Sequence, residues 1–290
     1  MSRQRLPDGA AVVTGAGRGL GREIAVRLAR AGCAVHVTDL DGELARSTAA
    51  EITAAGVAHP ARGHRLDVRD QAACRALAEE VAASSPQGLA VWVNNAGVLA
   101  TGPVWSHDDE TRRLMMEVNA LGTMHGTIAA LEVMRPAGRG HVLNIASLAG
   151  LVGVPGEGVY AASKHAVVGL STSTLADLRL AGIRDVHVSC LCPDGMWTPM
   201  LFDRLEDPGA SMSFSGVLLQ PAEIAARALR ILARPRAVTS VPRWRGGQAR
   251  LFDLVPGLSA RLAPAVVGLS RLQQRRSARR LRPWAQDPDD

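Results

Sequence analysis

Along this chain, short runs of apolar and β-branched residues alternate with longer stretches in which apolar positions return every three to four residues. These are the periods of strand and helix. The runs predict strands at 10–14 (AAVVT), 34–38 (AVHVT), 64–68 (HRLDV), 89–93 (LAVWV), 141–146 (HVLNIA), 186–192 (VHVSCLC) and 237–241 (AVTSV). The stretches between them predict helices over 20–31, 42–55, 70–83, 109–135, 157–181 and 221–234. Strands apolar on both faces and spaced by helices form a parallel sheet of βαβ units. The fold class is therefore α/β, a doubly wound parallel sheet with helices on both faces. In such sheets ligands bind beyond the C-terminal ends of the strands, where the strand order reverses. The chain shows no internal repeat and no low-complexity linker. One domain is expected over 1–245, followed by a helical tail over 246–290.

Composition narrows the function classes. Of 290 residues, 47% are hydrophobic and 21% charged, the balance of a folded soluble protein. The net charge of +6 is unevenly placed, because residues 241–290 carry ten Arg against four Asp while residues 1–240 balance. The basic excess thus says nothing about the main body binding nucleic acid, the tail lacks the interleaved aromatics that stack bases, and no nucleic-acid partner is expected. The tail joins an apolar run to the cluster Arg275–Arg282, with Asp253, Arg261 and prolines interrupting it. Spanning a bilayer takes about 20 apolar residues, so a transmembrane helix is disfavoured. Peripheral contact with anionic lipid, packing over a site mouth and a subunit interface stay open as roles for the tail. Cys33, Cys74, Cys190 and Cys192 lack zinc-type spacing, so no metal site is expected and the thiols read as buried and free. The N-terminal MSRQRLPDG has no signal-peptide run, and a cytoplasmic location is expected.

Directly after the first strand stands Thr14-Gly15-Ala16-Gly17-Arg18-Gly19-Leu20-Gly21, opening a helix. Glycines there permit a tight turn and let backbone N–H groups approach a pyrophosphate at a helix N-terminus. The second strand ends at Asp39, whose carboxylate can accept from the adenosine ribose hydroxyls and repels a 2′-phosphate. That favours NAD(H). Arg18 argues for NADP(H), which stays the alternative.

Five elements in order carry a family resemblance: Thr14-Gly-x-x-x-Gly-x-Gly21, Asn94-Asn95-Ala96-Gly97, Asn119 within EVNALG, Ser147, and Tyr160-x-x-x-Lys164. The chain resembles the short-chain dehydrogenases/reductases, in their shorter single-domain Rossmann-like branch, over about residues 8–241. Tyr160 and Lys164 are the sole tyrosine and the sole lysine of the chain, one helical turn apart. The resemblance implies that Tyr160 is the acid/base, its phenol made more acidic by the Lys164 ammonium. It implies that Ser147 steadies the substrate oxygen, that Asn119 holds a water on a proton path from Lys164, and that Lys164 bonds the nicotinamide ribose. Thr14, Gly15, Gly17, Arg18, Gly19 and Leu20 would hold the pyrophosphate end and Asp39 the ribose. Asp67 and Val68 would flank the adenine, with Asn95, Ala96 and Gly97 nearby. Pro193, Met196 and Thr198 would meet the carboxamide. The family usually reads Pro-Gly-x-x-x-Thr there, whereas this chain has Asp194 in the glycine place. If that place needs positive φ, aspartate is among the few residues that tolerate it.

Residues 199–219 are expected to form a substrate lid. Met200, Leu201, Phe202, Met212 and Phe214 make it apolar, opposite Leu148, Val152 and Val154. Leu148, Asp194, Met200 and Phe202 join Ser147 and Tyr160 as candidate substrate contacts. The reaction expected is interconversion of a lipophilic alcohol and its carbonyl. Alternatives are an epimerase or dehydratase at the same site, or a nicotinamide sensor without turnover. The resemblance also implies a homodimer or homotetramer.

Overall fold

A computed structural model describes residues 6–216 and 218–281. Strand β1 (Ala10–Val13) is buried along its whole length, and its alternate residues feed opposite layers. Ala11 and Val13 meet Ile24 and Leu28 on one face, while Ala10 and Val12 meet Leu77 and Val81 on the other. Two cores of this kind require helices on both sides of the sheet.

The elements follow in the order β1, α1 (Gly19–Arg30), β2 (Ala34–Asp39), α2 (Gly42–Ala54), β3 (Arg62–Arg65), α3 (Gln71–Ser84) and β4 (Leu89–Asn94). Then come α4 (Asp109–Met116), α5 (Gly122–Met134), β5 (Gly140–Ile145), α6 (Gly158–Leu180) and β6 (Val186–Pro193). The chain continues through α7 (Pro199–Phe202), α8 (Pro221–Ala233), β7 (Val238–Val241), α9 (Arg243–Leu254) and α10 (Pro256–Leu281). The 7-stranded sheet has the order β3-β2-β1-β4-β5-β6-β7, with every pairing parallel. Its order reverses between β1 and β4, and the crevice beyond those two strands is the ligand position of such folds.

Two elements differ from expectation. The third strand lies at Arg62–Arg65, ahead of the predicted 64–68. It is an edge strand whose residues stay partly exposed, so no apolar alternation marks it. The apolar Leu66 and Val68 instead belong to the following loop, which turns them inward. The helix predicted over 109–135 is interrupted by a wider turn with π-type bonding, Glu117–Leu121. Such turns recur at functional sites.

The lid comprises α7 and a 3₁₀ segment, Pro208–Phe214. The expected boundary at 245 falls inside α9. Helix α10 lies against the lid's 3₁₀ segment, where Gln274 Nε2 donates to the carbonyls of Arg204 (3.2 Å) and Asp207 (2.7 Å). Thus the tail covers the lid. The end of the predicted arginine cluster and of the tail, residues 282–290, lies outside the described residues, as does Val217 of the lid. No helix among the described residues is long and apolar enough to cross a membrane. All four cysteines are free and buried, and no metal-holding cluster occurs among the described residues.

Candidate active site

The glycine loop leaves β1 at the reversal point and is clamped by the segment after β4. Thr14 Oγ1 accepts from the backbone N–H groups of Asn95 and Ala96, each at 3.0 Å. Asn95 Nδ2 in turn donates to the carbonyls of Thr14 (2.9 Å) and Gly15 (3.0 Å). Gly15 has φ +59°, and a Cβ there would stand 2.7 Å from Ala96 Cα, so a side chain is excluded twice over. At the N-terminus of α1 no side chain caps the helix and no acidic residue sits in the first turn. Its backbone N–H groups are left for an anion. Gly15, Arg18, Gly19, Leu20, Asn95, Ala96 and Gly97 line one cavity, with Thr14 and Gly17 supporting them from behind.

Asp39 closes β2 at the edge of that cavity. Its Oδ2 accepts from Gly17 N at 3.0 Å and its Oδ1 from Asp41 N at 3.1 Å. A Cβ on Gly17 would lie 2.9 Å from the same Oδ2, so the glycine lets the carboxylate approach the loop. Arg18 lines the cavity as well, on an exposed side chain. Asp67 and Val68 line the wall beyond β3, where Arg69 Nη2 donates to Asp67 Oδ2 at 2.6 Å and holds that carboxyl below the usual range.

Helix α6 carries Tyr160 and Lys164 on one face. Lys164 Nζ lies 5.6 Å from the centroid of the Tyr160 ring and donates to the Ile145 carbonyl at 3.1 Å. The lysine is 4% exposed, and burial lowers its pKa to about 8. The Tyr160 phenol is pushed up from its ordinary value. Burial is the main cause and the Glu157 carboxyl adds to it, while a hydrogen bond from Ser147 works the other way. Ser147 begins the short turn after β5, its Oγ accepting from Ala149 N at 3.2 Å, and it faces the same cavity.

Asn119 sits in the wide turn between α4 and α5, fully buried. Its amide donates to Val98 O (2.9 Å) and Ser163 Oγ (3.0 Å), and its Oδ1 accepts from Val98 N (2.8 Å). Both amide hydrogens are therefore committed to protein, and Asn119 does not line the cavity. The side chain braces the Gly97–Val98 segment against α6, where Ser163 Oγ donates to the Tyr160 carbonyl at 2.7 Å.

Beyond β6, Pro193, Asp194, Met196 and Thr198 all border the cavity. The backbone at Asp194 is ordinary, since no described non-glycine residue has positive φ. Charge pairing is what the aspartate supplies. Arg245 Nε of α9 donates to its Oδ2 at 2.8 Å, and Arg245 Nη2 donates to Ser215 Oγ at 2.8 Å.

With this geometry in place, comparison with known proteins is informative. Residues 9–209 match the family described as short chain dehydrogenase. The chain belongs to the short-chain dehydrogenase family. It is 32% identical over 236 residues to a cyclopentanol dehydrogenase of Comamonas testosteroni, covering 79% of this chain and 91% of that one. It is 39% identical over 197 residues to a 1-deoxy-11-beta-hydroxypentalenate dehydrogenase of Streptomyces exfoliatus, covering 66% and 69%. A (3R)-3-hydroxyacyl-CoA dehydrogenase of Mus musculus shares 35% over 233 residues, covering 77% and 89%. Among solved structures, a short chain dehydrogenase/reductase from Burkholderia phymatum in complex with NAD superposes with a TM-score of 0.78. Its identity is 29%, over 88% of this chain and 96% of that one. The protein is accordingly an oxidoreductase.

In this short-chain dehydrogenase the cavity reaches about 1320 Å³, and its far end is built from three sources. Leu148, Val152 and Val154 come from the turn after β5, and Met200 and Met212 from the lid. Phe252, Leu262 and Val266 come from α9 and α10, which roof the mouth. Phe202 departs from its expected place. It stacks on Trp197 with ring centroids 5.4 Å apart, is 42% exposed, and does not line the cavity. Phe214 is buried with Leu201 and Ala210 in the lid's own small core, because a short lid needs apolar contacts of its own to hold its shape. Glu157, Arg245 and the roof residues were absent from the sequence-based site. For Glu157 one signal exists: it is the single charged residue between Arg139 and Lys164.

Proposed function

We propose that the protein is a nicotinamide-dependent dehydrogenase or carbonyl reductase that interconverts a lipophilic alcohol and its carbonyl, with NAD(H) as the preferred cofactor. The observation that carries this reading is the convergence of Ser147, Tyr160 and Lys164 on one cavity. That cavity runs from the glycine loop and Asp39 to an apolar end. Asp39 supports NAD(H), because its carboxylate is held by two backbone N–H groups and faces the cavity without a described cationic partner. NADP(H) stays the alternative through Arg18.

The bound nicotinamide supplies the hydride acceptor or donor at its C4. In the oxidative direction Ser147 holds the substrate hydroxyl and Tyr160 takes its proton as the carbinol carbon loses hydride. The buried Lys164 ammonium would offset the phenolate charge and would bond the nicotinamide ribose when the cofactor is bound. Asn119 positions α6 and the Gly97–Val98 strip, its amide hydrogens being already used. An apolar wall favours a lipophilic substrate. The relatives that act on cyclopentanol and on 1-deoxy-11-beta-hydroxypentalenate support compact cyclic alcohols as the first to try. A homo-oligomer is supported by the exposed apolar face of α4 and α5, which presents Leu114, Met124 and Ile128. A sensor without turnover is the weaker reading, since recognition alone has no need of the Ser147–Tyr160–Lys164 set.

The test is reduction of NAD by purified protein with a panel of cyclic secondary alcohols, followed by absorbance of the reduced nicotinamide. Turnover with NAD is expected. Binding of NADH with no oxidation of any alcohol and no reduction of the matching ketones would support the sensor.

A further inference from the structure

A second recognition group faces the substrate end of the cavity, and nothing in the hydride chemistry uses it. Glu157 immediately precedes α6, three residues before Tyr160. An acidic residue at that place ordinarily accepts from the first N–H groups of the helix. Glu157 does not, since its side chain makes no capping bond. Instead its carboxyl points across the cavity wall to the lid, where Ser213 Oγ donates to Oε1 at 2.6 Å. Oε2 accepts no hydrogen bond from any described residue, although Glu157 is 3% exposed and borders the cavity. That oxygen is not sealed among side chains, so it is open to a donor arriving in the cavity. The contrast with Asp194 is direct, because both Asp194 oxygens are occupied, by Arg245 and by Gly195 N.

Resting on the dehydrogenase reading, we propose that Glu157 determines specificity. Its free oxygen receives a second hydroxyl group of the substrate, so the preferred substrates are neutral lipophilic alcohols bearing another hydroxyl beside the reacting one. The surroundings set the charge preference. Asp194 adds negative potential, Arg204 opposes it, and Tyr160 and Ser213 are the neutral polar neighbours. Burial raises the Glu157 carboxyl to about 7, so near neutrality it exists in both forms, and a hydroxyl can donate to one or accept from the other. A substrate carboxylate can be met only by the protonated form and is repelled by the ionised one. The lid closes the arrangement, since Ser213 and Met212 border the cavity from the opposite side.

The probes are cyclohexanol and the isomeric cyclohexanediols, each oxidised with NAD and compared by kcat/KM. Sites built to hydrogen-bond a hydroxyl reject analogues lacking it, and here a preference of about tenfold or more for at least one diol is expected. Glu157→Leu should bring that ratio close to one by losing the diol preferentially; since Glu157 also acts on the Tyr160 phenol, the ratio rather than the cyclohexanol rate is the readout. Ser213→Ala removes the lid contact but leaves the carboxyl, so it should keep the diol preference. NADH affinity read by fluorescence shows that each variant is folded. An equal loss on every substrate in Glu157→Leu would mark Glu157 as a lid fastening and overturn the proposal. So would a wild type that oxidises cyclohexanol with no diol preference, and this result leaves the dehydrogenase reading standing. No oxidation of any probe overturns the diol proposal, and the dehydrogenase reading falls with it only if the matching ketones are not reduced either.

Discussion

Asp194 and Arg245, 51 positions apart, form an ion pair at 2.8 Å that joins the loop after β6 to the C-terminal helices. Their side chains are 9% and 19% exposed, so solvent screens the pair less than a surface one. Arg245 also reaches Ser215, which ties the end of the lid into the same network. The position the family usually fills with glycine here holds one end of that pair.

That anchoring has a measurable size. Hydrogen bonds to charged groups contribute about 1.5–3 kcal/mol, and Arg245→Ala should lower urea stability by about that much. A cycle with Asp194→Ala should give a coupling energy of about 2 kcal/mol. Additive losses would show that the pair does not hold the tail.

The proposed preference for NAD(H) rests on Asp39. Titration by NADH and NADPH, followed by fluorescence, should show NADH binding about tenfold tighter or more in the wild type, since 1.4 kcal/mol is tenfold. Asp39→Ala should erase that difference, mainly by relieving repulsion of the 2′-phosphate. Tighter NADPH binding in the wild type would give the site to Arg18.

Much of the fold was legible because its signals are local. The two faces of β1 and the 3.6-residue period of the helices can be read within a short window. Tyr160 and Lys164 could be read because they are the chain's sole tyrosine and lysine, one helical turn apart. What escaped notice depends on partners distant in sequence. Asn95 bonds Thr14 across 81 positions, Glu157 meets Ser213 across 56, and no periodicity encodes either. The edge strand Arg62–Arg65 was misplaced for the opposite reason, since its exposure removes the apolar pattern that marks a strand. Asn119 was legible as a residue, but its bonds to Val98 and Ser163 were not, because a motif does not show how an amide's hydrogens are spent.

Two histidines predict acid sensitivity. His36 is lowered from 6.5 to about 4 by burial first, then by its neighbours His64 and Arg62. His141 is lowered to about 3, again chiefly by burial, with His187 adding to it. Both are neutral in the fold and take up protons more readily when unfolded. Their contribution is fully present above the unfolded value near 6.5 and is lost as pH falls from there through the folded values. Each histidine adds a slope of about 1.4 kcal/mol per pH unit within that window. Urea midpoints measured from neutrality down to about pH 5 should fall, and His141→Asn should flatten the slope. Midpoints that do not change with pH would contradict this.

The account rests most heavily on Tyr160 as the proton-transfer group, and Tyr160→Phe tests it most directly. The substitution keeps the ring that packs beside Lys164 and removes only the hydroxyl. General acid–base groups contribute about 10²–10⁴-fold, so kcat for alcohol oxidation should fall by that order while NADH affinity stays within about threefold. A variant that keeps kcat within about threefold of wild type, at unchanged NADH affinity, would show that the proton leaves by another route.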